Sequence, residues 1–91
     1  LNIASELNAY TLSDRATWIT FKNKKNLEVL FHNDKKLFNQ YGAILVNPQK
    51  CPNTNIEDSK VFLNWLLSKE GQNTIKEYKV DGVQLFYPNA N

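Results

Sequence analysis

Cysteine, histidine, arginine and glycine are nearly absent: 91 residues hold one, one, one and three of them. A lone Cys51 permits no internal disulfide. With only His32 to join it, no His/Cys ligand set for a zinc-type metal can be assembled. Three glycines do not make a phosphate-cradling loop. A nucleophile, base and orienting acid cannot be drawn from one His, one Cys and scattered serines. The nine carboxylates show no paired pattern for acid/base work. The chain therefore reads as a non-enzyme that needs no cofactor. No apolar run reaches the eighteen or so residues of a membrane span, and no signal peptide is visible. The opening LNIASELNAY enters partway through a helical pattern, as a processed or truncated product would.

What is present is globular in character, with 42% hydrophobic and 12% aromatic residues. Ninety-one residues make one modest domain at most. Net charge is only +2, and the basic side chains are scattered lysines with pairs at Lys24-Lys25 and Lys35-Lys36. No RNP-like, zinc-knuckle or helix-turn-helix signature accompanies them, so no nucleic-acid partner is implied.

Periodicity predicts a helix from Leu1 to about Asn8, then a short buried strand over Ala9–Leu12. A second helix is expected from Leu12 or Ser13 to Lys22, with Leu12, Ala16 and Ile19 at helical spacing. LEVLF (27–31) reads as a strand, HNDKK as a turn, and YGAILVNP (41–48) as the clearest strand, stopped by Asn-Pro. Thr54-Asn55-Ile56-Glu57 fits a capping box for a third helix. Its face of Val61, Phe62, Trp65 and Leu66, with Leu63 and Leu67 alongside, is expected in the core. Ser68 is expected to cap a further helix through about Lys79. The tail VDGVQLFYPNAN reads as a turn and an extended docking segment.

The single arginine, Arg15, falls in AYTLSDRATW. Thr11-Leu12-Ser13-Asp14 is itself an S/T-x-x-D pattern, which would make Thr11 an N-cap with Asp14 near the third helical position. On that reading Asp14 complements the dipole, Arg15 pairs with a carboxylate and Trp18 packs. The same geometry also suits a small oxyanion, which free amides, hydroxyls from Thr11 or Ser13 and a forked guanidinium would meet. A carboxylate in the first turn competes for the same dipole, or orients Arg15 instead. The residues leave both open.

AYTLSDRATW, LFNQYGAILVNP, FLNWLLSKEGQNTI and GVQLFYPNA occur in this order in extracytoplasmic tungstate-binding proteins of ABC transporters. The chain resembles the C-terminal portion of that family over essentially all its length. The resemblance implies an α/β fold class, a partial type II periplasmic-binding-protein fold with a short mixed sheet covered by helices. It places residues 1–36 at the end of the second lobe and 37–91 in a return to the first. It implies capture of a tungstate- or molybdate-class oxyanion and delivery to an ABC permease. The protein would lie outside the cytoplasm, periplasmic or lipid-anchored. By similarity to related molybdate binders, Thr11 is the first candidate to reach the anion, followed by Tyr10 and Arg15. Ala16 stands where the family often has glycine. Most anion ligands would lie outside these 91 residues, and the uncovered apolar faces around YGAILV predict self-association through an unpaired edge. The alternative is a small autonomous α+β module that meets an acidic partner through the lysines of 22–25 and 35–36.

Overall fold

A computed structural model describes residues 1–90, which divide into two compact units, Leu1–Gln40 and Tyr41–Asn91.

In the first unit, α1 (Asn2–Leu7) ends at Asn8, whose left-handed φ of 53° and ψ of 45° turn the chain out of the helix. The Ala9 amide donates back to the Ala4 carbonyl at 2.9 Å, which closes a Schellman-type end that asparagine tolerates. Ala4 is buried, while Ile3 and Leu7 remain largely exposed. Helix α2 (Arg15–Thr20) is shorter than the expected Leu12–Lys22. Thr20 Oγ1 donates to the Ala16 carbonyl at 2.8 Å in its last turn. The Asn23 amide donates to Asn2 Oδ1 at 3.1 Å and ties the loop after α2 to the start of α1. HNDKK turns as expected. Asn33 takes a positive φ of 65°, and Asp34 accepts from the Lys36 amide at 2.8 Å to start a single 3₁₀ turn, Lys35–Leu37.

In the second unit, Asn47 opens a turn, with no strand ahead of it to stop. Asn47 Oδ1 accepts from the Gln49 amide, and its carbonyl accepts from the Lys50 and Cys51 amides. Helix α3 (Ile56–Leu67) is capped by Asn55, not by the expected Thr54. Thr54 is engaged elsewhere, because both its amide and its hydroxyl donate to the Cys51 carbonyl. Asn55 Oδ1 accepts from the Asp58 amide at 3.1 Å, and its side-chain amide donates to Asp58 Oδ2 at 2.6 Å. One side chain thus satisfies an orphan donor and binds the first-turn acid.

The face expected in the core is turned. Ile56, Leu63 and Leu66 are half-buried, whereas Val61 and Phe62 are exposed. Phe62 and Trp65 stack on that outer side, with ring centroids 6.3 Å apart and planes at 18°. The inner side is fixed by the packing of α4 (Lys69–Glu77), which follows at once.

Ser68 makes that junction. Its hydroxyl donates to the Trp65 carbonyl at 2.6 Å and accepts from the Gly71 amide at 3.1 Å. Gly71 is buried there, and a Cβ on it would lie 2.0 Å from the Trp65 carbonyl oxygen. Gln72 completes the joint: its amide nitrogen donates to the Leu66 carbonyl at 2.6 Å, and its amide oxygen accepts from the Ala90 backbone at 3.0 Å. The expected docking tail is thereby pinned. Leu85 is buried, and Phe86 meets Tyr41 edge-on at 5.9 Å.

Between α4 and that tail runs the only sheet among the described residues, the antiparallel pair β1 (Lys79–Val80) and β2 (Val83–Gln84). Asp81 and Gly82 turn it with φ of 52° and 77°, both positive as a tight two-residue hairpin demands. The mixed sheet expected from the sequence is therefore not assembled. Residues 9–12, 27–31 and 41–46 form no ladder. A strand exists only where a neighbour supplies its hydrogen bonds, and the described residues supply none. Ile44 is 91% exposed, and among the described residues the buried apolar ones are Ala4 and Leu85.

Gly71→Ala should cost about 1–3 kcal/mol through overpacking and lower the midpoint of the far-UV circular dichroism melt. Gly42 has open space around it, so Gly42→Ala should leave that midpoint unchanged or slightly raised. Equal midpoints for the two variants would refute the close approach at the helix junction.

Candidate anion-binding site

The candidate residues lie on and just before α2. Asp14, with φ of −78° and ψ of 160°, is the helix N-cap, and its Oδ2 accepts from the Thr17 amide at 3.1 Å. This corrects the expectation that Thr11 caps. A capping oxygen must sit immediately before the first helical residue, and α2 begins at Arg15, which leaves Thr11 three residues upstream of the cap. The Ser13 hydroxyl donates to the Asp14 carbonyl at 3.1 Å and steadies the entry. The local signal was present in Asp14-Arg15-Ala16-Thr17, where an Asx residue stands three before a free helical amide.

The Asp14 carboxyl is held below its ordinary value of 3.8, chiefly by the hydrogen bond from the Thr17 side chain and next by the Thr17 amide; slight burial opposes them. The ionised form is thus the bonded form. Its contribution to stability is present above the unfolded value and is lost as pH falls through the lowered folded value.

Tyr10 and Thr11 sit on the non-helical chain ahead of the cap, Tyr10 at 89% exposure and Thr11 also exposed. Arg15 is the exposed first residue of α2. The three therefore share one six-residue stretch on the surface of the first unit. Asp14 takes one of the amides that an anion at this helix start would use, so the helix end is not a ready-made cradle. The hydroxyl of Thr11 and the phenol of Tyr10 are reachable by solvent. Trp18, half-buried, carries Lys24 Nζ 5.0 Å above its ring. That cation–π contact had no sequence signal, since a spacing of six aligns no face of a helix. Among the described residues no group of His, Cys, Asp and Glu could hold a metal ion, and no helix is long and apolar enough to cross a membrane.

A family model described as "PBP superfamily domain" matches residues 1–70. The chain belongs to the PBP superfamily. It is similar to the tungstate-binding protein TupA of Peptoclostridium acidaminophilum, 45% identical over 99% of this chain and 32% of that protein. It is also similar to a putative ABC transporter anion-binding protein of Haloferax volcanii, 40% identical over 96% of this chain and 27% of the relative. Among solved structures, the tungstate-binding protein TupA from Desulfovibrio alaskensis G20 superposes with a TM-score of 0.75. It is 41% identical over 99% of this chain and 38% of its own. The chain thus carries part of the superfamily's fold and spans about a third of the length of the relatives it matches.

Acidification followed by NMR should move the Thr17 amide resonance with a midpoint below 3.8. Asp14→Asn should remove that titration while keeping α2 formed. Asp14→Ala should fray α2 at a cost of about 1 kcal/mol.

Proposed function

We propose that this chain is part of a solute receptor that captures a tetrahedral oxyanion of the tungstate or molybdate class and delivers it to an ABC permease outside the cytoplasm, periplasmic or lipid-anchored. The observation that carries the reading is identity of 45% to a tungstate-binding protein across 99% of the chain. The solvent-facing placement of Tyr10, Thr11 and Arg15 supports it, because each can reach a guest without rearranging a core.

In this reading Thr11 donates its hydroxyl to an anion oxygen and Tyr10 flanks it. Arg15 supplies a planar fork of donors, which a lysine ammonium does not reproduce. Asp14 keeps its charge on the Thr17 amide and fixes the direction in which α2 starts. Residues 1–36 serve one lobe and residues 37–91 the other, so this chain contributes to both lobes. The work is binding and not catalysis. The autonomous acidic-partner module is set aside, since two buried apolar side chains do not stabilise a module by themselves. Alone, the chain self-associates through its uncovered apolar residues.

The test is a chimera in which this chain replaces the matching stretch of the Peptoclostridium relative. Tungstate at a hundredfold excess over its Kd should stabilise the chimera by about 2.7 kcal/mol, read as a rise in Tm. Thr11→Val should weaken binding by about 1.5–3 kcal/mol, the worth of one hydrogen bond to a charged group. Arg15→Lys should weaken it less. A chimera that folds and shows no shift with tungstate or molybdate would refute the reading. Light scattering of the 91-residue chain by itself should give a mass above that of one copy, rising with concentration.

A further inference from the structure

Ten lysines are spread along the chain, and nine of them are exposed. Lys24 alone is half-buried, although Lys22 and Lys25 on either side of it face solvent. A lysine ordinarily keeps its ammonium in water, and holding it in one place gains little. This one is held in three ways. Its Nζ lies 5.0 Å from the centroid of the Trp18 ring. Its carbonyl accepts from the Leu27 amide at 2.8 Å, which closes a turn in which Lys25 takes a positive φ of 48°. The residue before it, Asn23, donates to Asn2 Oδ1 at 3.1 Å. The short loop after α2 is therefore tied to both helices of the first unit, and so is the charge it carries.

That charge is one the candidate site lacks. Between Ala9 and Trp18 the only charged residues are Asp14 and Arg15, and they cancel. Asp14 is committed to the Thr17 amide as the N-cap of α2. Tyr10 and Thr11 add hydroxyl donors without charge. A tetrahedral dianion meets donors on this stretch and no net positive charge. Trp18 stands three residues after Arg15, one turn along the same face of α2. Helical side chains tilt toward the helix start, which is the Arg15 end. The ammonium resting on the Trp18 ring is thereby a positive charge near Arg15 that Asp14 does not cancel. Lys22 and Lys25 carry the same sign, but on exposed stems their charges are mobile and screened.

We infer that Lys24 is a specificity-determining residue of the anion site: a placed cation, held by the Trp18 ring, that favours a doubly charged oxyanion over a singly charged one of the same shape. The inference rests on the reading of Tyr10, Thr11 and Arg15 as that site, and adds to it the ligand charge that the site selects. Coulomb energy is proportional to the charge of the ligand. Whatever factor Lys24 contributes to the affinity for a monoanion is therefore squared for a dianion. Lys24 needs no direct contact with the guest, because the attraction acts over a Debye length, about 10 Å at 0.1 M salt.

The experiment uses the chimera described above, with tungstate as the dianion and perrhenate as the monoanion, both tetrahedral. Lys24→Met keeps an apolar stem against the ring and removes the charge. At low salt it should weaken tungstate binding by about tenfold and perrhenate binding by about threefold. In about 1 M salt the loss for tungstate should shrink to less than about twofold. Lys24→Gln should give the same losses, which keeps the comparison intact where methionine disturbs the loop. Lys24→Arg should restore binding, since a guanidinium also rests on an indole face. Lys22→Ala removes the same charge from an unheld position and should cost less than about twofold. Four results would each overturn the inference. These are equal losses for tungstate and perrhenate, a loss that persists undiminished at high salt, a Lys24→Arg chimera as weak as Lys24→Met, and a Lys22→Ala chimera as weak as Lys24→Met. A Lys24→Met chimera that binds tungstate undiminished overturns the inference and leaves the oxyanion reading standing. A chimera that folds and captures no oxyanion overturns both.

Discussion

The approach of Gly71 to the Trp65 carbonyl holds the second unit together. A side chain at position 71 would occupy the space of that oxygen, so only a hydrogen there lets α4 follow Ser68 so closely. The other bonds of the joint accompany that approach. Ser68 can cap α4 while bonding back to α3, and Gln72 can reach the Leu66 carbonyl with one end and the Ala90 amide with the other. Helix α3 packs against α4, and Leu63 and Leu66 are half-buried while Phe62 is exposed. A stretch that looks like common helix-turn sequence, Ser68-Lys69-Glu70-Gly71-Gln72, is a joint in which three of the five residues have assigned mechanical duties.

A different economy governs the first unit. There the bonds are short-range and polar: Asp14 to Thr17, Ser13 to Asp14, Asp34 to Lys36, and the longer Asn23 to Asn2. They define the direction of a short helix and leave the residues ahead of it facing water. A carboxylate already seated on the helix amide disfavours an anion that would lie on the helix axis.

What the sequence made legible depended on whether the decisive partner was local. The Ser68 cap, the Asp81-Gly82 turn and the HNDKK turn were all readable, because each is decided within four or five residues. Thr54 failed as a cap for an equally local reason, capture by Cys51, but a pattern of hydroxyl and acid does not reveal which carbonyl will claim the hydroxyl. Thr11 failed because the helix began three residues later than its apolar spacing suggested, with Leu12 left 80% exposed. The strands over 27–31 and 41–46 are a different matter. Alternation and β-branching state what a segment would do beside a neighbour, and no described neighbour is there. For Tyr10, Thr11 and Arg15, motif order supplied the candidates, and chain-local geometry leaves all three accessible on one short stretch.

The two tryptophans fall one to each unit, and their surroundings differ in kind. Trp18 is half-buried beneath the Lys24 ammonium on the helix that follows Tyr10 and Thr11, while Trp65 lies partly open against Phe62. Each unit thereby carries its own optical reporter. With either indole replaced by phenylalanine, the remaining emission spectrum reads the polarity of one unit alone, and no extrinsic dye is required.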